Sequence, residues 1–587
     1  MSRLSALLAA TLSLLLSSSG FSQTAPGGTP VTRPGAPTAG AVPGMPLPNT
    51  GATQTGTARI RGRVVAAQTG APLRRAQVQG FAAEGQVRRT TTTDADGRYE
   101  FADLPAGRFT VSVTKAGYVT LQYGQRRTFE AGTPITLSDG QQIDRVDFSL
   151  PRGAVISVRV TDDFGDPIAG AQIQVQRYQY GTDGQRRLTP VQSGGVFGLS
   201  TTDDRGELRA FGLMPGEYIV SATYRSSFAP PLPNSADTSE GFAPTFYPGT
   251  VNSAEAQAVS VTVGDETPVQ FSMVAARLAR VSGTVVDSDG RPSTGAMLQL
   301  MSRQGNGGFS FGAGSVSTDG TFTIAGVTPG EHSIEVRPIP RPGTTSGEFA
   351  SVPIVVSGSD LTGVRIVTGK GALVTGRVMF EGTSPRTPLG GGPLRLFPQP
   401  ADTSRPFMNF GGSDPLTNGT IEESGAFQFN GASGRVFFTV SAPPPWTLKS
   451  VTLDGEDVTD EPIDLTGKAT VSGLIIRMTD RVTQVSGQVT DSRGQTMRDY
   501  VVVLLPVEAK QEPVVAGRWI RTARPDSNGR FQARVRPGRY IATAVEELEQ
   551  GRQFAPEFQE QLRRSAREFS VREGEMITLD LKLTSGL

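Results

Sequence analysis

The sequence contains no cysteine, one histidine and two tryptophans in 587 residues. Without cysteine there is no disulfide, no thiolate metal site and no cysteine nucleophile. A single histidine, His332, excludes the two or three neutral imidazoles that a zinc peptidase needs. An excess of charge is missing as well: 56 Lys+Arg stand against 55 Asp+Glu, a formal net charge of +1. Such a balance builds no field for nucleic acid or an anionic membrane, so neither is an expected partner. Long apolar runs are also absent. The most apolar stretch, residues 4–16, has 13 residues and is short for a bilayer span. Arg3 precedes it, and Ser17, Ser18, Ser19 and Gly20 follow, so residues 1–23 read as a secretory signal. Residues 24–58 are Pro, Gly, Thr and Ala with almost no charge. Such a composition cannot bury enough surface to offset its ordering entropy, which predicts a disordered spacer.

What is abundant is turn-forming residues: 71 glycines and 42 prolines. They punctuate a repeated block. Asp96-Gly97-Arg98-Tyr99-Glu100-Phe101 is followed by Leu104-Pro105-Ala106-Gly107-Arg108-Phe109-Thr110-Val111. Asp-Gly and Pro-Ala-Gly read as turns. The large apolar residues between and after them fall two apart, the period of a half-buried strand. The block therefore reads as a hairpin. It recurs at Gly206 and Gly216, Gly320 and Gly330, Gly425 and Gly434, and Gly529 and Gly538. Each copy has an upstream opener such as Val281-Ser282-Gly283-Thr284-Val285. Four of the five openers carry a central glycine (Gly62, Gly283, Gly376, Gly487), and the second has Val158. A constant block with a variable middle means one scaffold with different loops.

The expected fold is all-β: a tandem array of about five prealbumin/Ig-like β-sandwiches over residues 59–152, 153–275, 276–371, 372–479 and 480–587. One short C-terminal helix is expected over 556–569, with Phe558, Leu562, Ala566 and Phe569 on one stripe.

Chemistry-bearing motifs are few, and each has a structural explanation. His332 occupies the block position held elsewhere by Phe109, Tyr218 and Tyr540, which suits a strand residue. Gly308-Phe309-Ser310-Phe311-Gly312 has the nucleophile-elbow spacing but lies in a glycine-rich loop between strands. Ser112-Val113-Thr114-Lys115 falls on a strand, where a Ser-x-x-Lys site would need a helix start. Asp94-Ala95-Asp96-Gly97 and Asp287-Ser288-Asp289-Gly290 are calcium-loop fragments without the closing Glu, and turn-closing carboxylates account for them. No catalytic residue, cofactor or metal ligand is expected. Ligand contact is expected instead from aromatics in or near loops: Tyr178, Tyr180, Phe246, Tyr247, Trp446 and Trp519.

The opener Val281-Ser282-Gly283-Thr284-Val285-Val286-Asp287-Ser288-Asp289-Gly290-Arg291-Pro292, together with the repeated block, resembles the carboxypeptidase regulatory-like domain family. Ala243-Pro244-Thr245-Phe246-Tyr247-Pro248-Gly249 resembles a segment of multi-copy acidobacterial members. The resemblance implies a prealbumin-like, seven-stranded sandwich. Such domains occur beside zinc carboxypeptidases, ahead of outer-membrane barrels and in multi-copy exported proteins. It implies no activity, since the matching residues are turn and core residues. Grouping with starch-binding-like sandwiches makes carbohydrate a further implied ligand. Val158 and Ser433 depart from the pattern. The functional expectation is a secreted, periplasmic or extracellular, non-catalytic scaffold whose partner is a polysaccharide or an envelope protein. Peptide capture at a sheet edge is a further reading.

Overall fold

The computed structural model describes residues 55–584 apart from 83–86, 192–199, 225–239, 294–295, 303–313, 339–347, 385–394, 402–418, 443–444, 509–511 and 527. The expected signal, most of the spacer and the Ser310 loop lie outside the described residues. The spacer ends earlier than expected. Gly56 N–H donates to Asp103 O at 3.1 Å, and Ala58 is fully buried at the start of strand Ala58–Ala66.

The chain is built from strands, and its large apolar side chains gather in five main clusters, spanning 58–150, 154–273, 279–366, 372–478 and 485–581. The five bodies share one plan. In the first, strand Ala58–Ala66 lies between Arg98–Leu104, antiparallel, and Gln142–Ile143 with Phe148–Leu150, parallel. A second sheet pairs Gln77–Ala82 with Gly107–Thr114. The same pairing recurs around Ala154–Thr161, Ala279–Val286, Ala372–Glu381 and Gln484–Thr490.

This corrects the hairpin reading. Arg98–Leu104 and Gly107–Thr114 do not pair; they belong to opposite sheets, and the Pro-Ala-Gly turn carries the chain across the sandwich. Period-two spacing is the same for two strands side by side and two strands face to face. Here Tyr99 and Phe101 meet Phe109, Val111 and Val113 across one core.

The turns explain the aspartates. In Asp94, Asp162, Asp203, Asp287, Asp491 and Asp526, one carboxylate oxygen accepts the main-chain N–H groups two and four residues on, at 2.8–3.0 Å. These are Asx turns, and the two calcium-loop fragments are among them.

The opener glycine is required by a close approach. The strand that pairs with it in parallel bulges at that point, and its carbonyl turns inward. A Cβ on Gly62, Gly283, Gly376 or Gly487 would overlap the carbonyl oxygen of Val146, Val364, Leu474 or Leu579. The block aromatic (Tyr99, Phe322, Phe427, Phe531) closes the other side at 2.7–3.0 Å. The second body departs consistently. Ala154–Thr161 pairs with Glu266–Ser272 without a break, Val158 is buried, and the block position holds Leu208.

His332 has a structural place. Tyr218 Oη–H donates to Met214 O at 2.7 Å and Tyr540 Oη–H to Arg536 O at 3.0 Å. At the equivalent position His332 Nε2 lies 2.8 Å from Thr328 O. A carbonyl accepts only, so Nε2 carries the hydrogen. Each ring ties its strand to the crossover turn four residues back. Ser112 lies in a strand, and Lys115 Nζ donates to Arg74 O at 2.9 Å.

Two α-helices are present among the described residues, both in the fifth body. Helix Pro556–Ser565 is shorter than expected. Ala566 is extended, and Phe569 belongs to strand Arg567–Val571, its ring stacked on Tyr540 at 5.7 Å. Helix Pro513–Trp519 was not expected from sequence. Together they cover the outer face of strand Val501–Pro506, all six of whose residues are buried. Burying Phe558 and Leu562 there contributes about 1.5–3 kcal/mol each.

Candidate functional site

The fifth body packs against the first, second and fourth. Against the fourth the joint is apolar at its centre, with Ala401 and Phe437 against Val514, Val515 and Trp519. Trp519 Nε1–H donates to Asp460 Oδ2 at 2.8 Å, and Arg518 donates to Thr459 O at 3.0 Å and Thr439 Oγ1 at 2.7 Å. Burial lowers the Arg518 pKa.

Against the first and second bodies the joint is charged. Arg177 ends the core-facing side of strand Gln172–Tyr180 and is only 6% exposed. Its guanidinium pairs with Glu549 of the fifth body and lies 3.6 Å above the Phe129 ring of the first. Burial lowers the Arg177 pKa. Phe129 takes a left-handed backbone, φ 60°, that a bulky residue holds only where its surroundings enforce it. Those surroundings are Tyr218 at 6.1 Å and Gly216, which has no side chain in the way of the ring. The Phe129 carbonyl accepts from Gln550 N–H at 3.1 Å. Next to it, buried Glu130 Oε1 lies 2.5 Å from Arg524 of the fifth body. Neither Glu130 oxygen receives a well-directed hydrogen bond, so the pair is held by charge. Arg126 with Asp499 at 3.2 Å and Arg127 with Glu547 at 3.3 Å form the exposed rim.

Between these three bodies lies a groove of about 850 Å³. Tyr178 and Tyr180 are in its wall, alternating with Arg177 and Gln179. Tyr180 Oη–H donates to Glu557 at 2.5 Å, which raises the tyrosine pKa and lowers that of the carboxylate. Tyr178 Oη–H donates to Ser253 O at 3.3 Å, and Arg186 covers the ring at 4.2 Å.

The other four aromatics are elsewhere. Phe246 is 1% exposed, between Leu188 and Ile219, because its strand pairs with Gly216–Thr223. Tyr247 packs on the second core against Phe271 at 6.2 Å. Trp446 is buried in the fourth core, edge-on to Phe380 at 4.8 Å. Trp519 seals the joint with the fourth body. None of these four lines the groove. The residues missed from sequence are Phe129, Glu130, Arg177 and Glu549. One signal was legible: Arg177 continues the core-facing register of Ile173 and Val175.

Comparison with known proteins places the first body. Residues 59–151 match the carboxypeptidase regulatory-like domain. The Phe129–Glu130 segment that reaches the fifth body lies within the matched residues. No curated protein matches the chain. Among solved structures, the minor pilin GBS52 of the gram-positive pathogen Streptococcus agalactiae is 15% identical, over 37% of this chain and 95% of its own, with a TM-score of 0.20. A streptococcal ancillary pilin is 13% identical over 53% and 98%, TM-score 0.20. The shaft pilin SpaA of Lactobacillus rhamnosus GG is 12% identical over 37% and 97%, TM-score 0.15. At that overlap none of them bears on what this chain does. No helix among the described residues is long and apolar enough to cross a membrane.

Proposed function

We propose that this chain is an exported, non-catalytic binding scaffold of the bacterial cell envelope. One observation carries the reading: the fifth body is fastened to the first by a buried ion pair, to the second by buried Arg177 and its partner Glu549, and to the fourth by apolar contact and hydrogen bonds around Trp519. That makes a fixed platform with a groove where three bodies meet. The described chemistry-bearing side chains are already engaged, His332 near the Thr328 carbonyl and the turn aspartates by main-chain N–H groups. Export rests on the amino-terminal pattern at residues 1–23. Cell fractionation with mass spectrometry of the mature amino terminus tests it. The expected result is envelope or medium location with a start near residue 24, and a cytoplasmic, full-length chain contradicts it. Turnover of peptide or ester substrates that Ser310→Ala or His332→Phe abolishes contradicts the non-catalytic part.

Carbohydrate is the second reading, supported by Tyr178 and Tyr180 in the groove wall. Hits on a glycan array that Tyr178→Ala removes would favour it.

A further inference from the structure

In three bodies the outer face of the second sheet is apolar, and the chain itself covers it. Ile219 lies there with Leu188 and Phe246 in the second body. Phe437 lies there under helix Pro513–Trp519 in the fourth, and Val501 and Val503 under both helices in the fifth. The first body differs. Alternation puts Val78, Val87, Phe109, Val111 and Val113 on the core side of its second sheet, so their neighbours along the strands face outward.

Register sets those neighbours in three rows. Gln77 stands between Thr92 and Thr114, Gln79 between Thr90 and Ser112, and Phe81 between Arg88 and Thr110. None of them is buried, and Phe81 is 43% exposed. Strands about 4.8 Å apart and rows about 6.8 Å apart make an open platform of roughly 10 by 14 Å. The Gln79 amide and the Thr90, Thr110 and Ser112 hydroxyls make no hydrogen bond to another described residue. Charge on the platform is of one sign. Arg88 stands in the last row, Arg108 extends it opposite Thr136, and no outward position of these strands holds Asp or Glu. Glu84 belongs to the hairpin loop 83–86, outside the described residues. In a chain with 56 Lys+Arg against 55 Asp+Glu, a face with arginine alone is a local departure.

We propose that this face binds an acidic polysaccharide, a polyuronate. Its carboxylates pair with Arg88 and Arg108, its hydroxyls bond the Thr, Ser and Gln rows, and the apolar side of one sugar ring lies on Phe81. Charge complementarity selects an anionic partner, and charge density selects which. A few arginines among uncharged amides and hydroxyls match a hydroxyl-rich polymer with one charge per ring; a densely sulfated chain needs more cations. None of these residues lines the groove, so the site is separate from it. The proposal names a partner class for the envelope scaffold and rests on that reading.

Titration calorimetry on the full chain tests this, with polygalacturonate, its methyl ester, dextran and dextran sulfate as probes. Polygalacturonate binds. Esterifying its carboxylates, which leaves the protein untouched, weakens binding by about tenfold or more, the worth of one charge-assisted hydrogen bond. Arg88→Gln and Phe81→Ala each weaken it by about fivefold or more, while Tyr178→Ala in the groove stays within about twofold. The proposal is overturned if polygalacturonate does not bind, if the ester or dextran binds equally well, if dextran sulfate binds more tightly, or if Arg88→Gln and Phe81→Ala leave the affinity unchanged. Fractionation judges the envelope reading separately: an envelope protein that ignores polygalacturonate defeats this site alone.

Discussion

Adding one methyl group at an opener glycine should push a pair of strands apart. At Gly487 a Cβ would overlap the Leu579 carbonyl oxygen and lie 2.7 Å from its carbon and 3.0 Å from the Phe531 ring. A carbon–oxygen contact ordinarily runs about 3.3–3.6 Å, so the strands must separate by roughly an ångström. Forcing atoms into a packed core costs about 1–3 kcal/mol. The Leu579 N–H bond to Ser486 O, now 2.7 Å, weakens as well, at about 1 kcal/mol. Replacing Gly by Ala stiffens the unfolded chain and returns about 0.4–1 kcal/mol. Gly487→Ala should therefore destabilise the fifth body by about 1–3.5 kcal/mol. Gly369→Ala is the control, because a Cβ there meets nothing within 4 Å; it should be neutral or slightly stabilising. The assay is urea unfolding followed by exchange of amides in Gln484–Thr490 and Arg530–Arg534, since a many-bodied chain has no single two-state transition. A Gly487→Ala variant within about 0.5 kcal/mol of Gly369→Ala would refute the close-approach argument.

Three further outcomes follow from the same geometry. His332→Tyr should keep the stability of the third body, because Tyr218 and Tyr540 make the equivalent bond; His332→Phe should lose about 1 kcal/mol, read by exchange in strand Gly330–Pro338. Main-chain N–H donation from Glu207, then Arg205, holds the Asp203 carboxyl below its usual pKa. A folded pKa below the unfolded one gives stability that is complete above the ordinary carboxylate range and is lost as pH falls through the depressed value. The urea midpoint of the second body should fall more steeply in acid for the native chain than for Asp203→Asn, which keeps an acceptor and does not titrate; parallel profiles would contradict this. Glu130→Ala leaves Arg524, 12% exposed, without its partner, and should weaken docking of the fifth body by about 3–5 kcal/mol, seen as faster tryptic cleavage at Arg126 and Arg127.

The sequence made the scaffold legible because turns and strand periods are local. Asp-Gly and Pro-x-Gly marked the crossovers, and the opener glycines marked the strand that sits between two partners in four of the five bodies. What could not be read was anything that depends on which elements meet. The period of Tyr99, Phe101, Phe109 and Val111 is blind to whether two strands pair or face each other. Phe246 looked like a loop aromatic, and pairing with Gly216–Thr223 buries it. Helix Pro513–Trp519 has two valines and a glycine in seven residues, a weak local signal; packing on Val501 and Val503 stabilises it. Phe569 fitted a helical stripe until strand pairing with Gly538–Val545 took it. The groove was least legible of all, since its walls come from residues near 130, 178 and 549. Only Arg177, a charge in a core-facing register, hinted that something must cover that end.

Docking of the fifth body on the second is the central claim, and the absence of native cysteine makes its test clean. A Cβ on Gly517 would lie 3.9 Å from Thr182 Cβ, inside the range of about 3.5–4.5 Å that a disulfide spans. The full-length Thr182→Cys, Gly517→Cys double variant should oxidise quantitatively within one chain, read as faster migration on a non-reducing gel that reductant reverses, with both single variants unchanged. Free thiols persisting in the double variant under mild oxidant would contradict a fixed platform.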